Sequence, residues 1–353
     1  MNGLKIKVEA ALQQRDRGAL LIDTRTPGEF DEATIPGAVN VPLFSNEERA
    51  RVGTVYHREG AAAARLLSVD LVAPRIPALV REVMQYCGDD RSSVIVFCWR
   101  GGERSRAVAT FLRLAGISAR QLEGGHKAFR AHVRQFFERR QWGRLLVLRG
   151  LTGVGKTRFL LKLRDRGHPV IDLEGLANHR GSAFGALGCA PQPSQKMFEA
   201  LLWDELRHVG LQGYALAEGE SRHIGKCRLP AEVYASLQEE TSLWLHASAG
   251  VRVKRLLEDY PAVEQCRDQF RGPIQALRRR LGGERVERLL TLLDDGDWEN
   301  LASDLMRYYY DPLYRHTLPQ RRIEIEVEDE EAALPAVEKA IQEVLGEPRR
   351  TGA

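Results

Sequence analysis

Cys98 ends a β-branched run and starts a glycine–arginine loop, in the order Phe97-Cys98-Trp99-Arg100-Gly101-Gly102-Glu103-Arg104-Ser105. A thiol placed there is suited to nucleophilic chemistry. Loop amides and the N-terminus of a following helix favour thiolate over thiol and bind an oxyanion. Arg100 and Arg104 add full positive charges, and Ser105 adds a hydroxyl. Gly101 and Gly102 let the backbone curl without a Cβ in the way. Cys98, Arg100, Arg104 and Ser105 are therefore the candidate catalytic residues.

A second anion cradle follows in Gly150-Leu151-Thr152-Gly153-Val154-Gly155-Lys156-Thr157, a complete G-x4-G-K-T loop. In that pattern backbone amides wrap a diphosphate, the lysine reaches its terminal oxygens, and the threonine hydroxyl can ligate Mg²⁺. The diphosphate-binding candidates are Gly150, Thr152, Gly153, Gly155, Lys156 and Thr157. The motif specifies a diphosphate-bearing ligand and leaves open whether a nucleotide is hydrolysed. A partner acid is expected at a neighbouring strand end. Asp172 and Glu174 close one predicted strand, Glu218 and Glu220 another; Glu218 and Glu220 are preferred over Asp172, and Glu174 is passed over.

Both loops need a strand before them and a helix after them. Residues 19–23 (ALLID) and 93–97 (SVIVF) read as buried strands, with a turn-rich stretch at 26–30 between them. Helical spacing covers 69–86, 105–114 and a basic segment at 126–141. Further strands are expected at 145–148, 169–173, 214–217, 242–246 and 322–327, the last alternating as RIEIEV. Helices are expected at 157–166, 251–260 and 331–345, with 265–314 mostly helical, charged and broken at Pro273 and Gly282-Gly283. Strands alternating with helices predict two α/β parallel-sheet domains, residues 1–140 and 141–353. The second is of P-loop type and carries a helical, arginine-rich insertion at about 250–315. The tail from Gly346 reads as frayed.

The bulk composition fits a soluble protein of the cytoplasm, with 43% hydrophobic and 28% charged residues. No apolar run is long enough to span a bilayer, and no signal core opens the chain. Five cysteines (Cys87, Cys98, Cys189, Cys227 and Cys266) lack metal-type spacing, so reduced thiols and no permanent metal site are expected. Net charge is only +4. Basic clusters are more informative: Arg130, Arg134, Arg139, Arg140 and Arg144, then Arg278, Arg279 and Arg280, then Arg321 and Arg322. Any one cluster alone reads as a solvated helix face, and the candidate contacts to a polyanion are Arg130, Arg134, Arg139, Arg140, Arg180, Arg278, Arg279 and Arg280.

The loop Cys98-x5-Arg104-Ser105 resembles both rhodanese-type sulfurtransferases and cysteine phosphatases. Asp23-Thr24-Arg25 with Glu29-Phe30, and Ile35-Pro36-Gly37-Ala38-Val39-Asn40, resemble the rhodanese entry pattern. A rhodanese domain ahead of a P-loop domain resembles the tRNA 2-selenouridine synthase family over nearly the whole chain. The resemblance rests on Cys98-Trp99-Arg100-Gly101-Gly102, Leu122-Glu123-Gly124-Gly125, the Gly150–Thr157 loop, Asn178-His179-Arg180-Gly181-Ser182, Glu220-Ser221-Arg222-His223-Ile224-Gly225 and Tyr309-Tyr310-Asp311-Pro312-Leu313-Tyr314. Two positions depart from the pattern: Glu103 in place of methionine and His126 in place of tyrosine.

The resemblance implies a transferase acting on tRNA with a wobble 2-thiouridine. The base sulfur would first be alkylated from geranyl diphosphate, and selenium from selenophosphate would then displace the alkylated sulfur. A selenophosphate-supplying enzyme would be a partner. Cys98 is expected to carry selenium as a perselenide, and Trp99 either stacks on the base or packs. Three other readings stay open on the residues alone: a cysteine phosphatase fused to a kinase-like domain, a sulfurtransferase with an ATP-driven partner step, and a non-enzymatic tRNA-binding adaptor.

Overall fold

A computed structural model describes residues 4–87, 93–260, 267–315 and 318–347. Cys266 and residues 348–353 of the tail lie outside them. The chain divides into two compact units, Met1–Glu138 and Arg139–Ala353.

The first unit is a five-stranded parallel sheet. Its strands are β1 (Lys5–Ile6), β2 (Leu20–Asp23), β3 (Val39–Asn40), β4 (Val94–Phe97) and β5 (Ala119–Leu122), in the spatial order β1-β5-β4-β2-β3. All four residues of β4 are buried, as expected of a parallel strand covered on both faces. Its register with β2 pairs Asp23 with Phe97. That pairing brings the ends of both strands, and so Cys98, to one edge of the sheet. Helix Glu103–Leu114 follows the cysteine loop and buries Val108, Ala109 and Leu112 against Val94 and Val96.

The turn-rich reading of 26–30 gives way to a helix, Pro27–Glu32. Thr26 caps it in a full capping box with Glu29, and Pro27 sits at the first helical position, where its missing N–H costs nothing. The helical stretch at 69–86 is two helices, Ala61–Val72 and Ile76–Cys87, joined by a 3₁₀ turn at Ala73–Arg75.

The second unit is also a five-stranded parallel sheet, ordered β12-β11-β6-β8-β7. Its strands are β6 (Arg144–Gly150), β7 (Val170–Ile171), β8 (Tyr214–Glu218), β11 (Ser242–His246) and β12 (Arg322–Glu326). A short antiparallel ribbon pairs β9 (His223–Ile224) with β10 (Cys227–Arg228). β6 lies at the centre, and helix Lys156–Asp165 follows its glycine loop. The closing helix Glu330–Gly346 packs Leu334, Val337 and Ile341 into the core that holds Phe159 and Leu160.

Residues 169–173 are only partly strand. Asp172 leaves β7 to cap the helix Leu173–Ala177 through the Gly175 amide at 2.7 Å. Pro273 does not break its segment; it lies within helix Arg267–Ala276. The insertion has its own core, in which Phe184 from outside it packs with Phe270, Ile274, Leu289, Leu293 and Leu301. Among the described residues no helix is long and apolar enough to cross a membrane.

Candidate active sites

Cys98 is almost fully buried at the C-terminal end of β4. Its Sγ accepts the Gly102 amide hydrogen at 3.3 Å and lies 3.2 Å from the Ser105 hydroxyl. The loop is held from the β5 side. Gln121 Nε2 donates to the carbonyls of Gly101 and Gly102 and to Ser105 Oγ, all within 2.9–3.0 Å. The amides of His126 and Lys127 donate to the carbonyls of Cys98 and Trp99 at 2.9 and 2.8 Å. Gly101 and Gly125 both have positive φ at this crossing, and a Cβ on Gly125 would overlap the Cys98 carbonyl oxygen. Close approach of two backbones therefore requires glycine there.

The cationic groups of this loop have distinct surroundings. Arg104 grips Glu29, with Nη1 to Oε2 at 2.6 Å and Nη2 to Oε1 at 3.3 Å. Burial pushes the Glu29 carboxyl up, but the Arg104 hydrogen bond and charge hold it below its ordinary value. Arg100 is exposed beside Trp99 at the rim. Glu103 is exposed too and pairs with Arg106 at 2.5 Å, on the outer side of the first helical turn. His126, by contrast, is buried, with Trp99 tilted over it at 5.7 Å. Its Nδ1 accepts from Arg25 at 3.2 Å, and Arg25 is locked to Asp23 at 2.6 Å. Asp23, Arg25 and Thr34 thus form a buried polar girder beneath the cysteine loop, a feature visible in sequence only through the entry pattern.

In the second unit Gly155 caps helix Lys156–Asp165 with left-handed geometry. Two buried arginines of helix Ala249–Asp259 brace the loop from behind. Arg252 donates to the Thr152 carbonyl at 3.1 Å and pairs with Asp311 at 2.8 Å. Arg255 donates to the Val154 carbonyl at 2.9 Å. Neither had a sequence signal beyond the basic character of the helix.

The acids separate by position. Thr157 donates its hydroxyl hydrogen to Glu174 Oε2 at 3.0 Å. Burial and then the charge of Glu220 push the Glu174 carboxyl up to about 7, against the pull of Lys156 and Thr157. Both Glu174 and Glu220 line the cavity in front of the loop. Glu218 does not. It is fully buried, accepts the Leu173 amide at 3.0 Å, and is pushed well above the carboxylate range by burial and by Asp172 and Glu174. Asp172 is occupied as a helix cap outside that lining. The acids that face the cradle are therefore Glu174 and Glu220, not the preferred Glu218 nor Asp172.

The cavity holds about 650 Å³. One wall is Gly150, Thr152, Gly153, Gly155, Lys156 and Thr157; the insertion supplies an apolar and aromatic wall that includes Leu256, Tyr260, Phe270, Trp298, Leu301 and Leu305. Phe270 meets Trp298 at 5.6 Å and Tyr260 at 6.4 Å. Arg180 lies on this cavity as well, with its guanidinium 4.6 Å above the Tyr260 ring.

The other basic candidates are on outer faces. Arg134, Arg139, Arg278, Arg279 and Arg280 are exposed, and Arg130 is half-buried. Arg140 pairs with Glu239 at 2.7 Å, Arg278 pairs with Glu287, and Arg280 lies 5.8 Å from the Tyr309 ring. Among the described residues no group of three or more His, Cys, Asp or Glu side chains is arranged to hold a metal ion.

Comparison with known proteins covers both units. The family model described as the tRNA 2-selenouridine synthase AAA domain matches residues 143–344, and the rhodanese-like domain model matches residues 7–132. The tRNA 2-selenouridine synthase of Nitrosomonas europaea is 34% identical, over 86% of this chain and 90% of its own. That of Pseudomonas fluorescens is 35% identical, over 89% and 93%. That of Marinobacter nauticus is 36% identical, over 86% and 90%.

Proposed function

Because the chain belongs to the tRNA 2-selenouridine synthase family, we propose that it replaces the sulfur of wobble 2-thiouridine in tRNA with selenium from selenophosphate, through an S-geranyl intermediate made with geranyl diphosphate. The observation that carries the geranyl step is the cavity. A Walker loop opens onto Leu256, Tyr260, Phe270, Trp298, Leu301 and Leu305, a wall that suits a hydrocarbon chain joined to a diphosphate.

In the first step the base sulfur attacks C1 of the geranyl group. An S–C bond forms, the C–O bond breaks, the electron pair leaves with diphosphate, and the N3 proton of the base passes to solvent. Lys156 and the loop amides stabilise the charge that develops on the departing oxygens. Thr157, Glu174 and Glu220 are hard oxygen donors and fit Mg²⁺. The ion would neutralise diphosphate charge when bound.

Alkylation turns a poor leaving group into a good one. In the second step selenium adds at C2 of the base and expels geranyl thiol. Electron balance constrains what Cys98 does next. A perselenide formed with release of phosphate would need a two-electron oxidant. In the redox-neutral route Cys98 Sγ instead attacks phosphorus. The P–Se bond breaks, an S–P bond forms, selenium stays on the base, and water later frees phosphate. The Gly102 amide and Ser105 hydroxyl beside Sγ support this role, as does the general suitability of a C-x5-R-S loop for phosphoryl groups. The exposed arginines would hold the tRNA backbone, which implies affinity that falls steeply with salt.

The test is to supply 2-thiouridine-containing tRNA and geranyl diphosphate without selenophosphate. The S-geranyl nucleoside should accumulate with one diphosphate released per base. ATP turnover with no change in the tRNA would refute the geranyl step.

A further inference from the structure

Arg180 stands in the segment His179-Arg180-Gly181-Ser182 and is, from the sequence, one of the candidate polyanion contacts. The structure puts it elsewhere. It lines the same cavity as Lys156, Thr157, Glu174 and Glu220. Gly181, next in the chain, packs so tightly against Glu174 and Glu220 that a Cβ there would strike both carboxylates. The Arg180 backbone amide donates to the Gly185 carbonyl at 3.0 Å, and its Nη1 donates to the Leu187 carbonyl at 2.6 Å. Its guanidinium lies on the Tyr260 ring, 4.6 Å from the centroid. Among the described residues it makes no ion pair with a carboxylate. A ring face and one carbonyl fix the fork; the charge of Asp259, on the same cavity, reaches it without forming an ion pair, and its other N–H donors are unassigned.

A cation is needed there. Lys156 is a single charge, Arg158 on the same lining is paired with Glu258 and Asp259, and Arg149 donates to Ser242 and the Leu237 carbonyl. We propose that Arg180 is a catalytic contact to the diphosphate, donating N–H hydrogen bonds to its oxygens as the C–O bond of the prenyl diphosphate breaks and the electron pair passes to the leaving group. Tyr260 is its positioning residue. The inference rests on the prenyl-transfer reading of this cavity. It assigns Arg180 to the leaving group rather than to the tRNA backbone. Arginine suits the task because its planar fork stacks and binds two phosphate oxygens at once, which lysine cannot do.

The test uses the full chain with Arg180→Gln and Arg180→Lys. Single-turnover geranyl transfer to 2-thiouridine tRNA is measured beside tRNA affinity across a salt series. Loss of one preorganised oxyanion donor typically costs about 10²–10³ in rate. Arg180→Gln should show a loss of that order, Arg180→Lys should recover only part of it, and added guanidinium should partly rescue Arg180→Gln. tRNA affinity and its salt slope should match wild type. Retained transfer with weakened tRNA binding and a salt slope smaller by about 1 would overturn the assignment and make Arg180 a backbone contact. Inorganic diphosphate separates this inference from the broader one. If wild type transfers no geranyl group, the prenyl reading fails. Arg180 is still tested by whether its replacement weakens protection of the fold by inorganic diphosphate with Mg²⁺, and equal protection in both proteins would overturn the contact. A variant that unfolds early is judged on Arg180→Lys and on Tyr260→Leu, which should lower the transfer rate while leaving tRNA affinity intact.

Discussion

Thr157 and Glu174 are joined by a 3.0 Å hydrogen bond, so the Walker threonine and a cavity carboxylate form one unit. Burial and the neighbouring Glu220 raise the Glu174 carboxyl from 4.5 to about 7. The folded protein then holds this proton more tightly than the unfolded chain does. Its contribution to stability is complete below pH 4.5 and is lost as pH rises through about 7. Thermal unfolding of the ligand-free protein should therefore show a midpoint that declines over this window. Glu174→Gln should flatten the decline. Parallel pH profiles for the two proteins would contradict the assignment.

The proposed mechanism assigns Cys98 and Lys156 to different steps, so their replacements should separate. Cys98→Ala should abolish 2-selenouridine formation while S-geranyl transfer continues near the wild-type rate. Lys156→Ala should cut geranyl transfer by at least about 10²-fold yet leave selenation of a pre-geranylated tRNA largely intact. Nucleoside analysis with each substrate omitted in turn reads both. Equal loss of both steps in either variant would defeat the division.

Gly125→Ala tests the crossing that shapes the cysteine loop. The φ of +58° strains any residue with a Cβ, and that Cβ would overlap the Cys98 carbonyl. Strain of this kind costs about 1–3 kcal/mol before the clash is added. Thermal unfolding should shift down, and selenation should fall further than geranyl transfer. An unshifted midpoint would mean that the crossing relaxes freely.

Two arginines from the basic runs should behave in opposite ways. Arg144 pairs with Glu240 at 2.7 Å and donates to the carbonyls of Val344, Leu345 and Glu347, which ties β6 to the last helix. The Glu240 side chain is 6% exposed, so Arg144→Ala strands a buried charge and should cost about 3–5 kcal/mol of stability. Arg279 is exposed, and Arg279→Ala should leave stability unchanged while lowering the salt slope of tRNA binding by about 1. Denaturant unfolding and binding titrations decide both.

Local chemistry was legible in the sequence wherever a short segment makes its own structure. The Cys98 loop and the Gly150–Thr157 loop each sit between a strand and a helix, as their spacing requires. Strand 242–246 was readable residue for residue, because SLWL is an uninterrupted buried run. Thr26-Pro27-Gly28-Glu29 reads as a turn, yet the same residues start a helix; a capping box and a turn use similar types. The choice among acids could not be read locally. Glu218 and Glu220 alternate along the chain, but only the fold decides which faces the loop, and Glu174 enters from a helix that Asp172 begins. Arg180 is the same case. Its charge alone groups it with the candidate polyanion contacts, whereas its stacking on Tyr260 depends on a contact 80 positions away in the chain.

The most direct measurement is made on nucleosides digested from 2-thiouridine tRNA after incubation with the protein, geranyl diphosphate and selenophosphate, and weighed by mass spectrometry. The two-site mechanism predicts a 2-selenouridine peak, replaced by S-geranyl-2-thiouridine when selenophosphate is left out. An unchanged 2-thiouridine, from folded protein that binds the tRNA, would contradict it.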